Sequence, residues 1–173
     1  SDRIADGSTE SGLRMIQRED ATVPAVVRRC IPQIAKLVDA AVEIVDARIP
    51  MSSRNPEMDT LTAGKPRLVI LNKADLADEA ATKQWIAYFR RKGWAALAVD
   101  CKSGRGCNQF HSALRELLID LVTKWESKGA NRAIRAMIVG IPNVGKSSFI
   151  NKMNSEGGVV STETVFGSQE END

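Results

Sequence analysis

A chain of 173 residues, 43% of them apolar, is long enough for one globular domain with a real core. Its net charge of +2 is unevenly spread: residues 155–173 hold five acidic groups and no basic one, so residues 1–154 carry all 24 Lys and Arg and 17 of the 22 Asp and Glu, a balance of +7. A body that basic suits RNA or another anionic partner, and equally an ordinary solvated surface; no apolar run reaches the roughly 20 residues of a membrane span, there is no signal-peptide pattern, and three cysteines (Cys30, Cys101, Cys107) without paired metal-ligand spacing argue against a disulfide scaffold and for reduced thiols in a cytoplasmic protein.

Residues 1–22 are polar and aperiodic and read as a poorly ordered segment. Residues 24–38 predict a helix interrupted near Pro32. The run AAVEIVD (40–46) predicts a buried strand, and SSRNPEMDTLTAGKP a loop with a short helix stopped by Gly64 and Pro66. RLVILN (67–72) is a second buried strand. A helix over 78–93 places Ala81, Trp85, Tyr88 and Phe89 on one face and ends at Gly93. WAALAVD (94–100) is a third strand, 108–125 an amphipathic helix, 133–140 a fourth strand, and 146–154 a last helix. Strands that are apolar throughout and alternate with helices indicate an α/β domain with a mostly parallel sheet. The domain is expected over 23–154, followed by a flexible acidic tail at 155–173 with one short strand candidate, Val159–Val165.

Three motifs carry chemistry. Gly140-Ile-Pro-Asn-Val-Gly145-Lys146-Ser147 fits G-x-x-x-x-G-K-[ST] between a strand and a helix, the context a phosphate-binding loop requires. Backbone N–H groups of Asn143, Val144, Gly145, Lys146, Ser147 and Ser148 would cradle phosphates at the positive end of a helix dipole. The Lys146 ammonium would meet the β- and γ-phosphates, and the Ser147 hydroxyl would ligate Mg²⁺. Asn72-Lys73-Ala74-Asp75 follows a buried strand and fits N-K-x-D, a guanine-reading sequence. In it Asp75 accepts from the guanine N1–H and 2-amino group, Asn72 supports the base edge, and the Lys73 stem stacks on the purine. Asp100-Cys101-Lys102-Ser103-Gly104 ends the next strand; a polar turn explains it alone, but its place one βα unit after NKAD fits a loop that closes over guanine, with a Cys101 backbone N–H meeting O6.

The order is reversed relative to an ordinary Ras-like GTPase, where the phosphate loop comes first. Circular permutation moves the chain ends and keeps the contacts, and WESKGANR near 125–132 would be the new connector. With VEIVDARIPMSSRNPEMD, KPRLVILNKADLAD and RAIRAMIVGIPNVGKSSFINK, the chain resembles the circularly permuted GTPases of the ribosome biogenesis GTPase A (YlqF) type over about Val26–Asn154. The resemblance implies a P-loop NTPase fold with a permuted Ras-like parallel sheet and helices on both faces. It implies GTP or GDP with Mg²⁺ as ligands and the large ribosomal subunit or its rRNA as partner. It assigns guanine recognition to Asn72, Lys73, Ala74, Asp75, Asp100 and Cys101, and phosphate binding to Asn143 through Ser148. Asp46 and Arg48 match its D-A-R-x-P element, where a strand-end Asp bonding loop amides is the structural alternative.

Its N-terminal W-F-P-G-H-M-type segment is not found in residues 1–25, nor are its P-G-x-T and D-x-P-G elements found after Asn154. The sole histidine, His111, reads as an ordinary helix-face residue. Flanking strands are therefore expected to be missing, leaving 133–140 as an apolar edge open to pairing. No catalytic residue is assigned; weak guanine-nucleotide binding with little or no turnover is expected, and an inactive rRNA- or ribosome-binding scaffold is the alternative. A P-loop ATPase with Asp46 as Mg²⁺ ligand is a third reading, which NKAD disfavours.

Overall fold

The structure, a computed structural model, describes residues 35–130, 134–141, 144–155 and 161–164. The expectations for residues 1–22, for most of the first helix and for Asn143 lie outside these residues. Five strands form one sheet in the order β3-β2-β1-β4-β5, all neighbours parallel: β1 Ala40–Asp46, β2 Arg67–Asn72, β3 Ala95–Ala98, β4 Arg135–Val139 and β5 Ser161–Thr164. Between them run α1 Glu57–Leu61, α2 Glu79–Arg91, α3 Phe110–Leu117, α4 Ile119–Ser127 and α5 Lys146–Ser155.

Alternation along the strands divides the core in two. Val42, Ile44, Leu68, Ile70 and Ile138 pack with Phe110, Leu114, Val122, Phe149 and Met153 of α3, α4 and α5. Their neighbours Val45, Val69 and Leu71 turn to the other face, against Phe89 and Trp85 of α2. Both faces are thus covered, which is why β1 and β2 are buried end to end.

Local signals set the ends of α2. The Asp78 side chain accepts the Ala81 N–H, and Gly93, at φ 88°, lets its own N–H reach the Arg90 carbonyl while Trp94 N–H reaches Phe89, a Schellman close. The helix predicted over 108–125 is two. It departs from helical dihedrals at Leu118 (φ −105°, ψ 25°), although Leu118 N–H still bonds Leu114 O and Val122 N–H bonds Leu118 O. No proline or glycine stands there to explain the break.

One expectation is corrected. β4 is not an uncovered edge: β5 lies parallel beside it, with Arg135↔Ser161 through Ile138↔Thr164 in register. The short strand candidate at Val159–Val165, within the segment expected to be a flexible tail, is met by β5. Its sequence, Ser161-Thr162-Glu163-Thr164, has only its two threonines to favour a strand, which is weak but sufficient where β4 offers a free row of hydrogen-bonding groups.

Candidate functional site

Because the strands are parallel, their carboxyl ends share one edge, and the three motifs meet there. The chain steps from β1 to β2 to β3 on one side, then crosses to β4 on the other. The direction of winding reverses between β1 and β4, the position where open α/β sheets bind ligands.

Asn72, the last residue of β2, is 3% exposed. Its Nδ2 donates to the Val144 carbonyl at 2.9 Å, and its Oδ1 accepts the Cys101 N–H at 3.1 Å. One side chain therefore joins NKAD, the DCKSG turn and the phosphate-type loop. The Cys101 N–H expected to meet a base oxygen is engaged by Asn72 instead. The Cys101 thiol is buried, and burial pushes its pKa up, so it stays protonated.

Lys73 takes a left-handed conformation, φ 63° and ψ 33°, the one positive φ outside glycine among the described residues. The Ala74 N–H is tied to Val99 O at 3.0 Å, and Asp75 stands exposed on the 3₁₀ turn Ala74–Leu76. Asp100 spends its carboxylate on its own turn: Oδ1 accepts the Lys102 N–H at 3.1 Å and Oδ2 the Ser103 hydroxyl at 2.7 Å. A groove of about 330 Å³ lies beside this corner, between α2 and the end of β3. Ala74, Asp75, Asp100, Thr82, Ile86 and Arg105 are among its walls. It shares three candidates with the base-reading motifs and none with the phosphate loop.

In that loop Lys146 is 2% exposed, and its Nζ donates to Gly140 O at 2.8 Å and Ile141 O at 3.2 Å. Gly145, at φ 94°, precedes α5, so the helix amino end opens at Lys146, with Ser147 half-buried and Ser148 exposed. Among the described residues no group of three His, Cys, Asp or Glu could hold a metal.

Residues 135–169 match the family model described as 50S ribosome-binding GTPase. Ribosome biogenesis GTPase A of Bacillus cereus is 51% identical over 130 residues, 75% of this chain and 44% of that protein. The protein of the same name from Priestia megaterium is 49% identical over 134 residues, 76% of this chain and 46% of that one. The chain is a homologue of the ribosome biogenesis GTPase A proteins. Among solved structures, GDP-bound TM YlqF superposes with a TM-score of 0.53 at 31% identity, over 74% of this chain and 48% of that one. GNP-bound YlqF from T. maritima gives 0.52 at 32%, over 73% and 46%. The chain spans less than half the length of these ribosome biogenesis GTPase A and YlqF relatives.

The family resemblance read from the motifs thus holds, as does the α/β P-loop GTPase fold. The D-A-R sequence Asp46-Ala47-Arg48 is built as a tight turn. Arg48 donates from Nη2 to Asp46 Oδ2 at 2.7 Å, and from Nε and its backbone N–H to Oδ1 at 3.0 and 2.9 Å. Those bonds hold the Asp46 carboxyl below its ordinary pKa, against the opposing effect of burial.

Sequence reading missed a neighbouring cluster. Glu43, in mid-β1 and 2% exposed, receives Arg54 at 2.9 and 3.0 Å and Arg67 at 3.0 Å. Arg67 also bonds Asp59 and the Thr62 hydroxyl, and both guanidinium groups lie over Trp94, at 5.0 and 4.6 Å from the ring centre. The one signal was a carboxylate inside an otherwise apolar strand. His111 lies half-buried on α3, its Nδ1 without a hydrogen-bond partner among the described residues.

Proposed function

We propose that this chain binds guanine nucleotide and serves in ribosome assembly, with the large subunit or its rRNA as partner. The observation that carries the reading is the double bond of Asn72, to Val144 O and from Cys101 N–H. It brings a guanine-reading sequence and a phosphate-loop sequence to one edge of the sheet, as one nucleotide spanning both requires. Asp75 would accept from the guanine N1–H and 2-amino group, a donor pair adenine lacks. Lys73 would cover the ring. Val144 through Ser148, with Asn143, would offer N–H groups to the phosphates at the amino end of α5, and Lys146 would exchange its loop carbonyls for phosphate oxygens. Ser147 Oγ would help hold Mg²⁺, which would neutralise phosphate charge. The homologues named for ribosome biogenesis and the two nucleotide-bound YlqF structures support the reading. A cytoplasmic setting goes with the reading; no described helix is long and apolar enough to cross a membrane.

Titration of the 173-residue chain with fluorescent GDP and GTP, competed by ATP in the presence of Mg²⁺, tests it. Guanine-selective binding, lost in Asp75→Ala and Lys146→Ala, is expected. Equal affinity for ATP would overturn the reading, and salt-sensitive RNA binding indifferent to nucleotide would favour a scaffold instead.

A further inference from the structure

We infer that Asp46 is a positioning residue for Lys73: its fixed carboxylate draws the Lys73 ammonium toward the end of β1, so that the lysine stem lies where a purine face would be covered. The inference rests on the guanine site proposed above.

The two residues end adjacent strands, with Asp46 opposite Asn72 in the β1–β2 register. Lys73 Nζ stands 3.8 Å from Asp46 Oδ2, with the lysine side chain 32% exposed and the aspartate 7%. At that separation the attraction is one of charge, in a setting where water screens it only in part. Each end of the contact is fixed independently. The carboxylate is gripped three times by Arg48, and the Asp46 N–H donates to Ser53 Oγ at 2.9 Å. On the other side the peptides flanking Lys73 are tied to the residues that follow β1 and β3, Ala47 N–H to Asn72 O at 2.8 Å and Ala74 N–H to Val99 O at 3.0 Å. Those bonds hold Lys73 in its left-handed conformation, which sets where its side chain departs. The four-carbon stem of Lys73 has about 2 kcal/mol of rotamer entropy to lose on ordering. A carboxylate near its tip lowers that cost before any ligand arrives. The D-A-R turn, which shares no residue with the three nucleotide motifs, thereby acts on the base site through the Lys73 side chain as well as through the Ala47–Asn72 backbone bond.

The test uses fluorescent GDP and four forms of the 173-residue chain: unaltered, Asp46→Asn, Lys73→Met, and the double variant. Asparagine keeps an acceptor for Arg48 and removes the charge. Methionine keeps an apolar stem and removes the ammonium. Each single variant is expected to bind GDP about fivefold more weakly, and the double variant no more weakly than Lys73→Met, because Asp46 acts through Lys73. Full additivity in the double variant, or unaltered affinity in Lys73→Met, would overturn the inference and leave the base site standing. Failure of the unaltered chain to prefer GDP over ATP would overturn both. Should Asp46→Asn not fold, Lys73→Arg decides: recovery of the affinity lost in Lys73→Met supports a charge-held stem, and no recovery refutes it.

Discussion

A β-carbon placed on Gly145 would lie 2.1 Å from Asn72 Nδ2. Asn72 has no room to withdraw, because it is buried and bonded on both sides, to Val144 O and from Cys101 N–H. Gly145 also holds φ 94°, which side chains resist. Gly145→Ala should therefore lower stability by about 1–3 kcal/mol and uncouple the loop from β2. Urea unfolding reads the first effect, and loss of GDP binding the second.

Asn72→Ala should be as harmful by a different route. It strips a partner from a buried carbonyl and a buried N–H, at about 1–3 kcal/mol for each group left unsatisfied. Asn72→Asp keeps an acceptor for Cys101 but sets a carboxylate against the Val144 carbonyl. It should be no better than alanine, as a comparison of urea midpoints would show.

The Glu43 cluster makes a prediction about stability alone. Glu43→Ala leaves two guanidinium groups, both 4% exposed, sharing the single, partly exposed carboxylate of Asp59. Removing one partner of a buried charge set costs about 3–5 kcal/mol. Glu43→Met with Arg54→Leu and Arg67→Leu together should recover much of that, because it removes the excess buried positive charge and leaves only Asp59, which is 38% exposed. Thermal unfolding of the single and triple variants checks both statements.

Asp46 gives the fold an acid sensitivity with a definite sign. Its folded pKa lies below the ordinary 3.8, chiefly through the Arg48 hydrogen bonds. The contribution is thus fully present above the ordinary value and is lost as pH falls through the lowered one. Stability of the unaltered chain should exceed that of Asp46→Asn at pH 6, and the gap should narrow below about pH 4, as urea titrations across that range would show.

Much of the fold was legible because periodicity and punctuation agreed. The apolar runs at 40–46 and 67–72 became β1 and β2 with unchanged bounds, and Gly93 ended α2 as expected. The motifs were legible because each is short and bound to one strand end. What was hidden depended on partners distant in sequence. Glu43 looked like an interruption of β1 until Arg54 and Arg67 folded over it. The use of Cys101 N–H by Asn72, 29 positions away, has no sequence mark. β5 was underrated because its four residues gain their strand character from the free side of β4 and little from themselves.

The bond between Asn72 and Val144 spans 72 positions of chain. A ribosome making this protein releases both base-reading segments well before the loop that would hold phosphates. Residues up to Ala98 can lay down β1, β2 and β3 early, yet the last wall of the site arrives only when β4 docks against β1. Capture of a nucleotide would then report that synthesis has passed Ser148 and that β4 has docked against β1, with β5 still to add at the sheet's edge.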